Sequence, residues 1–230
     1  MNKVLNDFLQ YVKKPDPFIK EDKAKVFFNQ LFPLVIIALC FSFCSVMFTS
    51  ILEQLHLIRK LPDFELFKLK EKKILLFFMV VVFAPIVEEL IFRYQLKSYR
   101  LAILLYFLFL AGMLYRLTSV FLLFAILTPV FILCLFVYLA MNKNSFQRFK
   151  IINLTFPSHF YLTAICFGLV HISNYSNPLD YGFPIILLVL PQLFIGLILG
   201  YVRMRFGLSK SIIMHAGYNF IPALTLLAGY

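Results

Sequence analysis

The sequence predicts an all-α fold, a polytopic transmembrane helical bundle of about seven spans with eight as the upper count, and three observations lead there. The 230 residues are 62% hydrophobic with a mean hydropathy of +0.88, more apolar surface than a soluble domain can hide behind a polar exterior. Uncharged runs recur that are long enough to cross ~30 Å of hydrocarbon, which takes roughly 20 residues each. Most of the 22 Lys and Arg residues lie before the first of those runs or in the short segments between them, where membrane proteins use them to set orientation. The net charge of +11 therefore reads as topology, so no nucleic-acid partner is expected and the lipid bilayer is the first partner.

Taken in order, Val4, Leu5, Phe8, Leu9 and Val12 share a helical face that Pro15 and Pro17 end. Residues 1–30 thus read as a cytoplasmic amphipathic segment whose short helix rests on the membrane. Its acids, Asp7, Asp16, Glu21 and Asp22, do not fit a cleavable signal, so the first apolar run reads as an anchor. Residues 31–230 read as one bundle, with spans near 31–52, 74–96, 101–115, 117–141, 158–174, 183–202 and 208–229. The third is short enough to be tilted or partial. With the N-terminus inside, 15 Lys and Arg lie on the cytoplasmic side against 7 outside, which favours N-in and C-out in a plasma (inner) membrane. The discordant segment is 56–73, whose Arg59, Lys60, Lys68, Lys70, Lys72 and Lys73 alternate with apolar residues and suit a place among the headgroups. Cys40, Cys44, Cys134 and Cys166 have no metal or redox spacing and read as packing residues. Gly196 and Gly200 have the small-xxx-small spacing of close helix packing.

The most informative residues are those that hydrocarbon should exclude. After Glu71 only three acids remain, and two of them, Glu88 and Glu89, are adjacent in the apolar stretch FAPIVEELIFRYQL. A carboxylate in the bilayer centre costs at least ~2.5 kcal/mol on insertion scales, so such charges face the bundle interior and have a task. Residues four apart lie within ~40° of one helix face, which pairs Glu89 with Arg93. That ion pair neutralises one carboxylate and leaves Glu88, roughly 100° around the helix, to point elsewhere.

The bland reading, in which both acids merely pair with arginines, does not account for the histidines. Two of the four lie inside spans with polar companions at helical spacing: Phe167, His171 and Asn174 in FGLVHISN, and His215 with Asn219 in HAGYNF. At ~1.5 Å per residue, Glu88, His171 and His215 can meet near the middle of the membrane, and together they form a hydrolytic constellation. His56, in the basic segment, and His159, at the start of a span, read as interfacial.

Three motifs in this order on separate helices, Glu88-Glu89-x-x-x-Arg93, Phe167-x-x-x-His171 and His215-x-x-x-Asn219, resemble the CAAX-protease and bacteriocin-processing (CPBP, Abi-like) intramembrane peptidases. That family includes the CAAX prenyl endopeptidases, and the resemblance covers residues 80–222. It implies that Glu88 activates a water with help from His171, and that His215 and Asn219 stabilise the oxyanion. Glu89, Arg93, Phe167 and Asn174 are then supporting residues, and the substrate is a peptide or protein brought to the membrane by lipidation or by its own hydrophobicity. Peptide hydrolysis does need an activated water and a donor for the developing charge.

Three questions stay open in the sequence. Glu88, His171 and His215 also make up a His2Glu zinc set with one position for water, although no HExxH motif is present. Members of the family are called metalloproteases, and a metal-free glutamate mechanism has also been proposed for them; direct holding of water by Glu88 and His171 is preferred here. A transporter or proton relay uses the same residue types, but the internal repeats it predicts are not evident. A catalytically idle membrane scaffold is the third class, and the intact motif set argues against it.

Overall fold

The computed structural model describes residues 2–22, 24–62, 73–99, 101–102, 104–105, 108 and 145–228. The expected spans at 101–115 and 117–141, apart from a few residues at the start of the first, lie outside the described residues, as do Cys134 and residues 63–72 of the basic segment. Six helices order the rest: α1 Asn2–Lys13, α2 Ala24–Gln54, α3 Lys73–Lys97, α4 Ser145–Asn174, α5 Ile185–Phe206 and α6 Leu208–Ala228. No strand occurs among the described residues. Helices α2 to α5 are each long and apolar enough to cross a membrane. The protein is an integral-membrane all-α bundle. Outward phenylalanines and leucines such as Phe32, Phe43, Phe78 and Leu154 are exposed to the surrounding phase, where lipid tails cover them at no hydrophobic cost.

Helix α5 is the centre of the bundle, packing on α1, α2, α4 and α6. The close approach to α4 is made by small residues, as the Gly196 and Gly200 spacing predicts. A Cβ on Gly200 would stand 2.7 Å from Phe160 Cε2, and one on Gly196 would stand 3.3 Å from the Ala164 backbone. At the end of α5, Gly207 turns the chain with φ 91° and donates its N–H to the Arg203 carbonyl, a backbone conformation open to a residue without Cβ. Helix α6 therefore starts one residue later and runs back along α5.

Two expectations change. Helix α1 is amphipathic, but its Phe8 and Tyr11 are buried in the protein rather than in headgroups. Phe8 meets Phe194 and Tyr201 edge to face, while Tyr11 packs on Phe160 and Tyr201. This aromatic pocket offers more contact than a lipid surface, and full burial of such a side chain contributes about 1.5–3 kcal/mol. Ionic ties hold the following strap in place. Arg205 bonds Asp22 at 2.6 Å and lies 3.6 Å from Asp7, and Lys97 pairs with Glu21. Lys97 holds the Glu21 carboxyl below the usual carboxylate range.

The second change concerns His159. Helix α4 begins at Ser145, well before the expected start of its span, and carries Pro157 inside it. His159 is therefore interior rather than interfacial: it is buried, with Nε2 3.2 Å from the Gln95 carbonyl and its ring against Tyr99.

Candidate active site

Both carboxylates come from a locally irregular helix. Within α3, an α-helical start at Lys73–Phe78 widens to a π-turn at Met79–Phe83, returns to α at Ala84–Phe92, and tightens to a 3-10 turn at Tyr94–Lys97. The π register is visible in the bond from Ala84 N–H to the Met79 carbonyl, five residues back. Proline at 85 explains the widening, because its ring collides with the carbonyl four residues earlier in an α-helix. Single π-turns inside α-helices are frequent at functional sites.

Glu89 is fully buried and surrounded by donors. Its Oε1 lies 3.6 Å from Arg93 Nε and 3.1 Å from His215 Nδ1, and its Oε2 accepts the Ser211 hydroxyl. Arg93 is equally buried. Its Nη2 donates to the Gly196 carbonyl at 3.2 Å, and its guanidinium carbon stands 4.0 Å over the Phe167 ring. The same ring lies edge-on to His215, with centroids 5.6 Å apart, and tilted against His171 at 4.8 Å. Phe167 is thus the apolar floor on which an arginine and both imidazoles rest.

Glu88 points away from Arg93, as the roughly 100° step around the helix predicts. Its Oε2 is buried, has no hydrogen-bond partner, and faces His215 Nε2 at 3.7 Å and His171 Nε2 at 3.9 Å. The other nitrogen of each ring is already engaged. His171 Nδ1 is 2.7 Å from the Phe167 carbonyl, which can only accept, and His215 Nδ1 faces the Glu89 carboxylate. Both Nδ1 atoms therefore carry the proton, so in the neutral rings the two Nε2 lone pairs face the Glu88 carboxylate. The separations are too long for direct hydrogen bonds. Three acceptors converging on one notch call for a species that donates to them, either water or a cation.

Zinc can be tested against this notch. The donor chemistry fits, since each ring has its far nitrogen held by a carbonyl or a carboxylate in the manner of metal-binding histidines. The spacing is wider than the edge of a zinc tetrahedron, roughly 3.3 Å, and no group of three His, Cys, Asp or Glu side chains among the described residues closes into a metal-ligand set.

Of the residues singled out in the sequence, Glu88, Glu89, Arg93, Phe167, His171 and His215 come together here. Asn219 lies one turn beyond His215 and donates Nδ2 to the Val80 carbonyl at 2.9 Å. Asn174 ends the 3-10 turn that begins at His171, and no hydrogen bond joins it to the cluster among the described residues. Ser211 was missed, yet its signal was in the sequence: Ser211, His215 and Asn219 are four apart on one face of α6. The Gly196 carbonyl and Arg203, whose Nε donates to the Arg93 carbonyl at 3.1 Å, had no such signal.

The site is thus a carboxylate and two imidazoles turned inward in an apolar helical bundle, a set of residues suited to proton transfer. The profile of the family described as type II CAAX prenyl endopeptidase Rce1-like matches residues 70–221. The match takes in 152 of the 230 residues and every residue of the cluster. The chain belongs to this family, whose members are CAAX-type membrane proteases. Comparison with curated proteins and with solved structures gives no match.

Proposed function

We propose that the protein is an intramembrane endopeptidase that cleaves a membrane-associated, lipidated peptide or protein with a glutamate-activated water. The observation that carries this reading is the notch itself, where Glu88 Oε2, buried and unpartnered, faces two imidazole Nε2 atoms within 4 Å. A water there donates to Glu88 and His171 and keeps a lone pair for the scissile carbonyl. On attack its proton passes to Glu88, and from there to the leaving nitrogen as the tetrahedral intermediate collapses.

The oxyanion needs donors, which His215 and Asn219 supply. His215 has its Nδ1–H on Glu89, so its Nε2 turns from acceptor to donor only when it takes up a proton, and the Glu89 carboxylate is placed to offset that charge. Asn219 contributes its second amide hydrogen, the first being held by Val80. Glu89, Arg93 and Phe167 fix the geometry. Were zinc bound, Glu88, His171 and His215 would hold it and it would supply a metal-activated hydroxide; the roles above belong to the side chains themselves.

The Lys and Arg distribution supports a cytoplasmic N-terminus, and in this reading the membrane is the plasma (inner) membrane and the substrate reaches the site from the cytoplasmic side. A tag at the N-terminus should resist external protease in intact cells. For the activity, wild type and Glu88→Ala are purified in detergent and given a prenylated reporter peptide, with and without a strong zinc chelator. Cleavage by wild type alone supports the reading, and the chelator separates metal-held from glutamate-held water. Equal cleavage by Glu88→Ala excludes the mechanism. Proton flux in liposomes with no peptide cleavage favours a relay instead.

A further inference from the structure

The π-turn ahead of the carboxylates leaves one backbone group unaccounted for within its helix. In the register set by Ala84 N–H on the Met79 carbonyl, the next bond runs from residue 85 to the Val80 carbonyl. Residue 85 is proline and has no N–H to give. Residue 84, the α-helical alternative, already bonds Met79. The Val80 carbonyl is therefore orphaned inside the helix, and in a membrane-spanning segment a carbonyl without a donor costs free energy comparable to a lost hydrogen bond. It finds its donor on another helix, the Nδ2 of Asn219, at 2.9 Å.

We propose that Pro85 is a positioning residue: by withholding an N–H it frees the Val80 carbonyl to clamp Asn219, and the clamp fixes the direction of that amide's second hydrogen. Because a primary amide is planar, holding one Nδ2 hydrogen along a given line sets the other about 120° away in the same plane. The same bond ties α6 to α3 between the two ends of the site, so Glu88 and Asn219 keep a fixed separation. The assignment of Asn219 to the oxyanion rests on the proposed peptidase activity; the clamp itself does not.

The test replaces Pro85 by alanine or by valine: in the π register the restored N–H competes for Val80, and if the turn relaxes to α the Ala84 N–H takes Val80 instead. Pro33→Ala, in α2, is the control for loss of a helix proline elsewhere. Activity on the reporter peptide is measured in wild type, Pro85→Ala, Asn219→Ala and the double variant. Pro85→Ala should lower kcat by roughly 10²-fold, as expected for loss of one oxyanion donor. KM should stay within about twofold, and the Asn219→Ala background should show no further loss. Pro33→Ala should keep wild-type kcat.

A second readout does not need turnover. With Asn-selective nitrogen-15 labelling, the side-chain amide of Asn219 is assigned by its absence in Asn219→Asp. Its hydrogens should exchange with solvent at least roughly tenfold faster in Pro85→Ala than in wild type. Wild-type kcat in both Pro85 variants, equal losses in the two backgrounds, or unchanged exchange each overturn the proposal. If Glu88→Gln cleaves like wild type, the peptidase reading fails and the exchange rates alone decide the clamp.

Discussion

Glu89→Gln is the substitution with the largest expected structural consequence. The side chain keeps its shape and loses its charge, while every neighbour it serves is a donor: Arg93 Nε at 3.6 Å, His215 Nδ1 at 3.1 Å and the Ser211 hydroxyl. With Glu89 fully buried and Arg93 almost so, the arginine keeps its charge and loses its nearest counter-ion. Breaking a buried pair by removing one partner costs about 3–5 kcal/mol. The amide nitrogen of the new side chain also meets a donor wherever it turns, unless His215 moves its proton from Nδ1 to Nε2. Loss of stability can be followed by SDS titration of purified protein, and activity on the reporter peptide in parallel. The companion variant Arg93→Met with Glu89→Gln removes both charges, so it should regain part of the lost stability while kcat stays low, because His215 still lacks its carboxylate. Stability of Glu89→Gln within about 1 kcal/mol of wild type, or full activity in the double variant, would refute this reasoning.

The remaining predictions concern separate parts of the molecule. His171→Ala should lower kcat by about 10²–10⁴-fold, the usual range for a general-base partner, whereas Asn174→Ala, outside the hydrogen-bonded cluster, should stay within about threefold; steady-state kinetics on the reporter compares them. Gly200→Ala places a methyl 2.7 Å from Phe160 Cε2, and overpacking of this kind costs about 1–3 kcal/mol, visible as a lower thermal inactivation midpoint. The Glu21–Lys97 pair should matter only on the acid side. With its folded carboxyl pKa held below the ordinary glutamate range by the Lys97 hydrogen bond, Glu21 contributes stability that is full above the unfolded pKa and disappears as pH falls through the folded pKa. The pair is exposed, so the effect stays under ~1 kcal/mol. In Glu21→Gln the stability difference from wild type should vanish at the acid end; a difference that persists there points to packing instead of charge.

Much of the site was legible because helical spacing constrains direction. The four-residue step from Glu89 to Arg93 gave the ion pair, and the one-residue step, roughly 100° of helix turn, gave the separate direction of Glu88. The meeting of His171 and His215 at one carboxylate followed from their similar expected depth. Spacing alone could not give the fate of Asn219, because its partner is a carbonyl released by Pro85 on a different helix. Hydropathy located the cores of α2, α3, α4 and α5 but missed the polar ends, so α4 began earlier and His159 moved inside. The face of α1 was read correctly as apolar, but the sequence does not say whether lipid or the aromatic pocket of Phe160, Phe194 and Tyr201 covers it.

The most direct measurement is single-turnover cleavage of a prenylated reporter peptide by wild type and Glu88→Gln at matched amounts of folded protein. Glutamine keeps the shape of the notch and removes the carboxylate that accepts the proton from water. Product from wild type and none above background from Glu88→Gln is the predicted result. Cleavage at the wild-type rate by Glu88→Gln would contradict the role assigned to this carboxylate.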